Sequence, residues 1–176
     1  MRIITGKYKG RHFDIPRSFK ARPTTDFAKE NIFNVLNGYI DFEDATALDL
    51  FAGTGSISLE LLSRGCAQVV SVELDRDHAA FIRQCTTKLG TDKSVLVRSD
   101  VFKFLKRCHQ QFDFIFADPP YALTQLSEIP SLVLDGGLLA EDGIFVFEHG
   151  ANNDFSTHPR FIERRNYGSV NFSLFK

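Results

Sequence analysis

Apolar and polar positions form blocks along most of the chain, and the spacing of the apolar residues changes from block to block. From residue 45 onward, short apolar runs typical of strands alternate with segments in which apolar residues recur every three or four positions. The strand-like runs are ATALDLF, AQVVSVEL, SVLVRSD, FDFIFA and GIFVFEH, and the helical segments include SISLELLSRG, RDHAAFIRQCTTKLG and VFKFLKRC. This alternation predicts an α/β fold with a mostly parallel sheet covered on both faces.

The two ends of the chain depart from this alternation. The last segment, RFIERRNYGSVNFSLFK, predicts two strands about Gly168 and therefore an antiparallel hairpin at the sheet edge. Residues 2–15 predict a small β-hairpin, the basic loop PRSFKARPTT follows, and a helix then begins after Thr24 or Thr25 and continues to about residue 40. We therefore divide the chain into an N-terminal β-hairpin and basic loop, residues 1–24, and a main domain, residues 25–176.

Composition narrows the class of protein. A chain of 176 residues with 43% hydrophobic content predicts one compact domain, with a monomer as the default. No apolar run is long enough to cross a membrane and the N-terminus lacks the apolar stretch of a signal peptide, so we expect a cytoplasmic protein. Cys66, Cys85 and Cys108 are widely spaced and are interpreted as structural thiols, and the five histidines are scattered, so no metal is expected.

Charge is unevenly distributed. Residues 1–24 carry about +6 and the rest of the chain about −7, because seven basic residues there face the single acid Asp14. A basic segment on an acidic protein favours an anionic macromolecular partner, nucleic acid first, although a solvated basic arm without a partner is the alternative. The residues that would contact a nucleic acid are Arg2, Lys7, Lys9, Arg11, Lys20 and Arg22.

A glycine-containing turn follows the first predicted strand. In LDLFAGTGS, Asp49 ends the strand, Phe51 and Ala52 enter the turn, and Gly53 and Gly55 precede a helix. Ligands of open α/β sheets bind at the carboxyl ends of the strands, where glycine allows the backbone to approach them closely. A nucleotide-like ligand is therefore expected at this turn.

Two further acids end the next strands. Glu73, followed by Leu74, is placed to accept hydrogen bonds from ribose hydroxyls, and Asp100, followed by Val101, is placed to accept one from an adenine amine. NAD and S-adenosylmethionine both offer a ribose, and the third glycine of the dinucleotide motif is replaced by Ser58. Helix capping is the alternative role for Asp49 and Asp100.

The fourth predicted strand ends in ADPPY, at the same edge of the sheet. Pro119 and Pro120 end the strand and stiffen the loop, since each fixes its φ and lacks an N–H. A nucleobase amine is a poor nucleophile, and acceptors at the Asp118 carboxylate and the Pro119 carbonyl would direct its electron pair at an electrophilic methyl. Tyr121 can stack on a base that has left its own stack. These four residues are the predicted catalytic set.

These motifs together carry a family resemblance. DLFAGTGSISLELLSRG, VELD and DPPY resemble class I S-adenosylmethionine-dependent amino-methyltransferases. MRIITGKYKGRHFDIP, RPTTDFAKENIFNVL and RRNYGSVNFSLFK are similar to the RsmD family within that group, which methylates a guanine N2 amine in 16S ribosomal RNA of the small subunit. The resemblance covers nearly the whole chain, and guanine-966 is the family's expected target.

The resemblance implies a Rossmann-like, seven-stranded, mostly parallel sheet with S-adenosylmethionine as cofactor and S-adenosylhomocysteine as product. It assigns Gly53, Gly55, Glu73 and Asp100 to the cofactor and residues 118–121 to the target amine. Lys29 departs from the family, which more often has Arg before the glutamate that is Glu30 here. Lys cannot reproduce the two-pronged hydrogen bonding of an Arg guanidinium. Alternatives are methylation of an adenine N6 in DNA or RNA, methylation of a protein amide, and a non-catalytic RNA-binding assembly factor. An NAD-dependent oxidoreductase is a further alternative.

Overall fold

The computed structural model describes residues 1–176, and its order of elements follows the alternation in the sequence. A single 3₁₀ turn, Leu126–Glu128, precedes the last helix. The five helices are α1 (Asp26–Leu36), α2 (Ser56–Ser63), α3 (Arg76–Leu89), α4 (Val101–Arg107) and α5 (Ile129–Asp135). The seven strands are β1 (Thr46–Leu50), β2 (Gln68–Glu73), β3 (Ser94–Arg98), β4 (Phe112–Ala117), β5 (Leu139–His149), β6 (Phe161–Tyr167) and β7 (Val170–Phe175).

All seven strands form one sheet in the order β3-β2-β1-β4-β5-β7-β6. The first five run parallel to one another, whereas β7 runs antiparallel to both β5 and β6. The predicted α/β fold and the C-terminal hairpin are therefore confirmed. In this order β2 lies on one side of β1 and β4 on the other, so the direction in which successive strands are added reverses at β1. Such a switch point opens a crevice at the carboxyl ends of the strands.

Hydrophobic side chains cover both faces of the sheet. One core of 24 buried residues lies on the side of α1, α2 and α3, and a second core of 17 lies on the side of α4 and α5. Phe112, Phe114 and Phe116 of β4 are all buried, which is why this strand appears in the sequence as a continuous apolar run. The phenylalanines near the DPPY loop therefore belong to the cores that hold the loop in place.

The N-terminal segment folds back on itself as a minimal hairpin. A single antiparallel bridge joins Arg2 and His12, with the Ile3 N–H donating to the Arg11 carbonyl at 3.0 Å and the Phe13 N–H to the Met1 carbonyl at 2.9 Å, but the segment has no strand longer than this bridge. The backbone N–H groups of Ile4 and Thr5 donate instead to the carboxylate of Glu60, at 2.9 and 3.1 Å. Because Glu60 of α2 accepts these two N–H groups, they are not available to extend a β-ladder, and the segment is fastened to α2 instead.

The first helix begins as predicted and ends earlier. The Thr25 hydroxyl accepts the N–H of Ala28 at 3.2 Å and caps α1. The helix ends at Leu36 rather than near residue 40, because residues 37–39 form a turn that contains Gly38. None of the five helices combines the length and the apolar character needed to span a membrane.

Candidate active site

A pocket of about 670 Å³ opens at the carboxyl ends of β1, β2, β4 and β5. Four segments that are distant in the sequence line it: residues 20–24, residues 51–54, Glu73 and residues 118–121. The crevice at the switch point thus brings together the basic loop, the glycine turn and the DPPY loop. A larger cavity, about 890 Å³, lies at the opposite, amino-terminal ends of the strands, and Lys7 is the single predicted site residue in its lining.

The glycine turn is held against the end of β2 by Glu73. Oε2 of Glu73 accepts the N–H of Gly53 at 2.6 Å, and Oε1 accepts the N–H of Asp75 at 3.1 Å. Gly55 has a φ of +82°, and a Cβ there would lie 2.9 Å from Cγ1 of Ile82 on α3, so the turn requires glycine at this position. The turn is therefore held in one conformation, and the Glu73 carboxylate that holds it lies at the pocket wall.

Asp49 lies at the floor of the pocket and belongs to a chain of hydroxyls. The Ser58 Oγ donates to Oδ2 of Asp49 at 2.6 Å, and the oxygens of Ser58 and Ser71 are also 2.6 Å apart. Burial raises the pKa of Asp49 to about 7, which the hydrogen bond from Ser58 partly opposes. Asp49 does not cap α2, because the residue at that position is Gly55 and no side chain caps the helix. The residue that replaces the third glycine thus supports the carboxylate.

Asp100 does cap a helix. Its Oδ1 accepts the N–H of Lys103 at 3.1 Å and begins α4. Gly55, Leu74, Asp100 and Val101 do not line the pocket; Val101 is buried in the second core and Leu74 is exposed.

The DPPY loop follows β4 directly. The Asp118 N–H donates to the carbonyl of Leu50 at 3.4 Å, so the acid begins the loop beside the end of β1. The pKa of Asp118 is raised by burial first, and then by the negative charges of Glu148 and Asp49. Tyr121 is half-exposed, with its ring at the pocket mouth and its hydroxyl turned inward.

The sequence reasoning missed Glu148, at the end of β5. The Tyr121 hydroxyl donates to its Oε1 at 3.2 Å, and burial raises the pKa of Glu148 to about 7. His78 was also missed: it lines the pocket with its Nδ1 3.7 Å from Oε1 of Glu73, and its ring lies 4.6 Å from that of Phe19. The sequence does indicate a strand-end position for Glu148, because this residue follows the apolar run GIFVF. No motif marks His78.

The predicted RNA-binding residues form two groups. Lys20 and Arg22 are exposed at the wall of the pocket. Four others lie on the N-terminal segment outside it: Arg2, Lys7, Lys9 and Arg11. Arg2 is paired with Asp26 at 3.0 Å, and Arg11 donates to the carbonyl of Lys88 at the end of α3 at 3.2 Å.

Lys29 is a buried structural cation. Its Nζ donates to the carbonyl of Arg2 at 2.6 Å and to the Ser56 Oγ at 3.1 Å, and it lies 3.9 Å from Oε2 of Glu60. Burial lowers the pKa of Lys29, while the charge of Glu60 opposes this. The side chain therefore joins α1, α2 and the N-terminal segment, with Arg64 3.2 Å from Oε1 of Glu60 on the other side. No group of three or more His, Cys, Asp or Glu side chains is arranged to hold a metal ion.

Comparison with known proteins adds independent information about the whole chain. A family model described as conserved hypothetical protein 95 matches residues 1–176. The Ribosomal RNA small subunit methyltransferase D of Escherichia coli is 35% identical over 159 residues, which cover 90% of this chain and 79% of that protein. The protein of the same name from Haemophilus influenzae is 30% identical over 182 residues, covering 100% of this chain and 93% of that protein.

A solved structure agrees with these relatives. It is that of yhhF, described as a candidate methyltransferase of Escherichia coli, and it superposes with a TM-score of 0.86 at 30% identity. The superposition covers 99% of this chain and 96% of that chain.

Proposed function

The chain belongs to the family described as conserved hypothetical protein 95, which is the RsmD family that its motifs resemble, and it has a class I methyltransferase fold. On that premise we propose that it methylates small-subunit ribosomal RNA. The methyl donor is S-adenosylmethionine, and the acceptor is the exocyclic N2 amine of a guanine in 16S RNA. The observation that carries the proposal is one pocket in which the DPPY loop faces the glycine turn and Glu73.

The polar groups of the pocket fit S-adenosylmethionine. The Glu73 carboxylate at the wall offers acceptors for the two ribose hydroxyls, and the Asp49 carboxylate on the floor offers one for the ammonium group. Asp100 lies outside the pocket lining, at the start of α4, where its Oδ1 caps the helix and its Oδ2 is left to accept an adenine amine that extends beyond the pocket. When bound, the cofactor supplies a methyl group on a positively charged sulfur, which keeps the electron pair of the broken S–C bond as S-adenosylhomocysteine forms.

The DPPY loop provides the acceptors that the amine requires. The Asp118 carboxylate and the Pro119 carbonyl oxygen accept the two amine protons, so the electron pair on nitrogen is directed at the methyl carbon. As the new N–C bond forms, the Asp118 carboxylate takes the proton that nitrogen releases. Pro120 keeps the loop stiff, because its fixed φ removes one degree of backbone freedom.

Tyr121 and the basic residues act on the RNA rather than on the methyl group. The half-exposed ring of Tyr121 stacks on the target base after the base leaves its own stack. Lys20 and Arg22, exposed beside the pocket, neutralise the phosphates that flank this nucleotide. The N-terminal residues Arg2, Lys7, Lys9 and Arg11 extend this contact along more distant phosphates.

The test uses labelled S-adenosylmethionine and small ribosomal subunits that lack the modification. Digestion of the RNA should yield label in N2-methylguanosine with the wild-type protein, and no label with Asp118→Ala. Asp135→Asn, an exposed acid at the end of α5, is the matched control and should leave the product unchanged. Label in N6-methyladenine would overturn the guanine assignment, and a protein that binds no cofactor would favour a non-catalytic assembly factor.

A further inference from the structure

Glu148 occupies a defined position beside the proposed acceptor of the target amine. Ala117 of β4 is in register with Phe147 of β5, so the next residues of these parallel strands, Asp118 and Glu148, are level with each other. Residues in register on parallel neighbours extend from the same face of a sheet. Both side chains accordingly line the same pocket, where burial and then the negative charge of Glu148 raise the pKa of Asp118.

The two oxygens of Glu148 differ in what they contact. Oε1 accepts the Tyr121 hydroxyl at 3.2 Å, whereas Oε2 is buried and has no hydrogen-bond partner. The whole residue is only 6% exposed, so water does not freely solvate this oxygen. Buried polar atoms in native proteins are nearly always paired, and an exception in a pocket wall indicates a donor that arrives with a ligand.

Guanine carries two neighbouring donors on the edge that bears its N2 amine. The ring nitrogen N1 bears a hydrogen and lies next to the carbon that carries the amine, whereas N1 of adenine is an acceptor next to its N6 amine. Asp118 by itself would accept hydrogen bonds from either amine. A second acceptor beside it therefore distinguishes the two bases, because a site that pairs with an N–H rejects a base that lacks it.

We propose that Glu148 determines the base specificity of this site by accepting the N1–H of guanine at Oε2, beside the N2 amine held by Asp118. This inference rests on the proposed function. The Tyr121 hydroxyl holds Oε1 and thereby turns Oε2 towards the base.

The test compares two target bases that share the N2 amine. One RNA carries guanine at the modified position and the other carries 2-aminopurine, whose N1 is an acceptor. The wild-type protein should prefer guanine by about 30-fold in kcat/KM, the order expected for one base-edge hydrogen-bond pattern. In Glu148→Gln the amide oxygen can keep the Tyr121 contact while the amide nitrogen donates to N1 of 2-aminopurine. This variant should lose about 30-fold on guanine and reduce or reverse the preference.

Two further variants separate specificity from a merely structural role. Glu141→Gln changes an exposed acid on the same strand and should leave both rates unchanged. Tyr121→Phe keeps the ring but removes the hydroxyl that orients Glu148, so it should reduce the preference for guanine without a matching change in cofactor affinity.

Equal losses on both bases in Glu148→Gln, or an unchanged preference, would overturn the role of Glu148 alone. A wild-type protein that binds S-adenosylmethionine but labels neither RNA would overturn the proposed function together with this inference.

Discussion

At the scale of single residues, the pocket is distinguished by carboxyl groups that ionise less readily because they are buried. Asp49, Asp118 and Glu148 all have raised pKa values, and burial is the first cause in each. No lysine or arginine is paired with them within salt-bridge distance. Raised carboxyl pKa values in a cleft are typical of sites that handle protons.

This arrangement predicts that methyl transfer depends on pH. Asp118 must be ionised to accept the amine protons, and burial together with the negative charges of Glu148 and Asp49 raises its pKa, with no cation to compensate. Measured from about pH 5 to pH 9, kcat/KM should therefore rise with pH, because Asp118 ionises at a higher pH than an ordinary aspartate does. In Glu148→Gln the rise should move to lower pH, because one negative neighbour is gone. A profile that is flat over this range would contradict the assignment.

The same acids should reduce the stability of the fold at high pH. The folded-state pKa of Glu148, about 7, exceeds its ordinary value, so ionisation weakens the folded state as pH rises from about 4 to 7. Glu148→Gln removes this cost and should raise the free energy of unfolding by about 3 kcal/mol at pH 8 and hardly at all at pH 4. Urea unfolding at the two pH values measures the difference. Glu141→Gln should show no such pH-dependent gain.

At the scale of elements, the N-terminal segment depends on α2. Glu60 is fully buried and accepts the N–H groups of Ile4 and Thr5, besides pairing with Arg64 and Lys29. Gly6 lies so close to the carbonyl of Ser63 that a Cβ would overlap it, and its φ is +95°. The segment is therefore fastened at one acid and one close backbone contact.

We expect Glu60→Gln to release this segment. An amide offers one acceptor oxygen instead of two and leaves the buried cation Lys29 without its partner, a change that costs about 3–5 kcal/mol in comparable buried pairs. Amide hydrogen exchange should lose protection at Ile4 and Thr5 first, and RNA affinity should fall more than cofactor affinity. Glu30→Gln, an exposed acid on α1, is the control and should change neither. Retained protection at both amides would contradict the fastening role.

At the scale of the whole molecule, basic charge meets the pocket at one wall. Lys20 and Arg22 belong to the only part of the predicted basic set that lines the pocket. The remaining basic residues of the N-terminal segment extend away from it, and two of them contact Asp26 and the end of α3. Binding of the RNA phosphates near the target nucleotide should therefore depend most on Lys20 and Arg22.

Lys20→Ala and Arg22→Ala should each weaken RNA binding and reduce the slope of log affinity against log salt by about one. The affinity for S-adenosylmethionine should stay unchanged, since neither residue is assigned to the cofactor. Lys106→Ala, an exposed lysine on α4, removes the same charge away from the pocket and should leave the slope unaltered. Equal effects at all three positions would show that only net charge matters.

Much of the molecule was predictable because its signals are local. The alternation of apolar runs and helical spacing predicted β1 to β5, the closing segment about Gly168 predicted β6 and β7, and DPPY predicted a stiff loop at the end of β4. The N-terminal hairpin is reduced to one bridge, because the N–H groups of Ile4 and Thr5 donate to Glu60, more than fifty residues away in the chain. No local pattern in residues 2–15 contains that information.

The sequence by itself determined the α/β architecture, the glycine turn, the acids that end the strands and the family, because each depends on residue type and spacing within a short segment. Only the tertiary structure decided that Glu148 is level with Asp118, that Lys29 is a buried structural cation and that the basic residues divide into two groups. Register between strands, burial and the direction of a side chain result from packing among distant segments, and packing is a property of the whole fold.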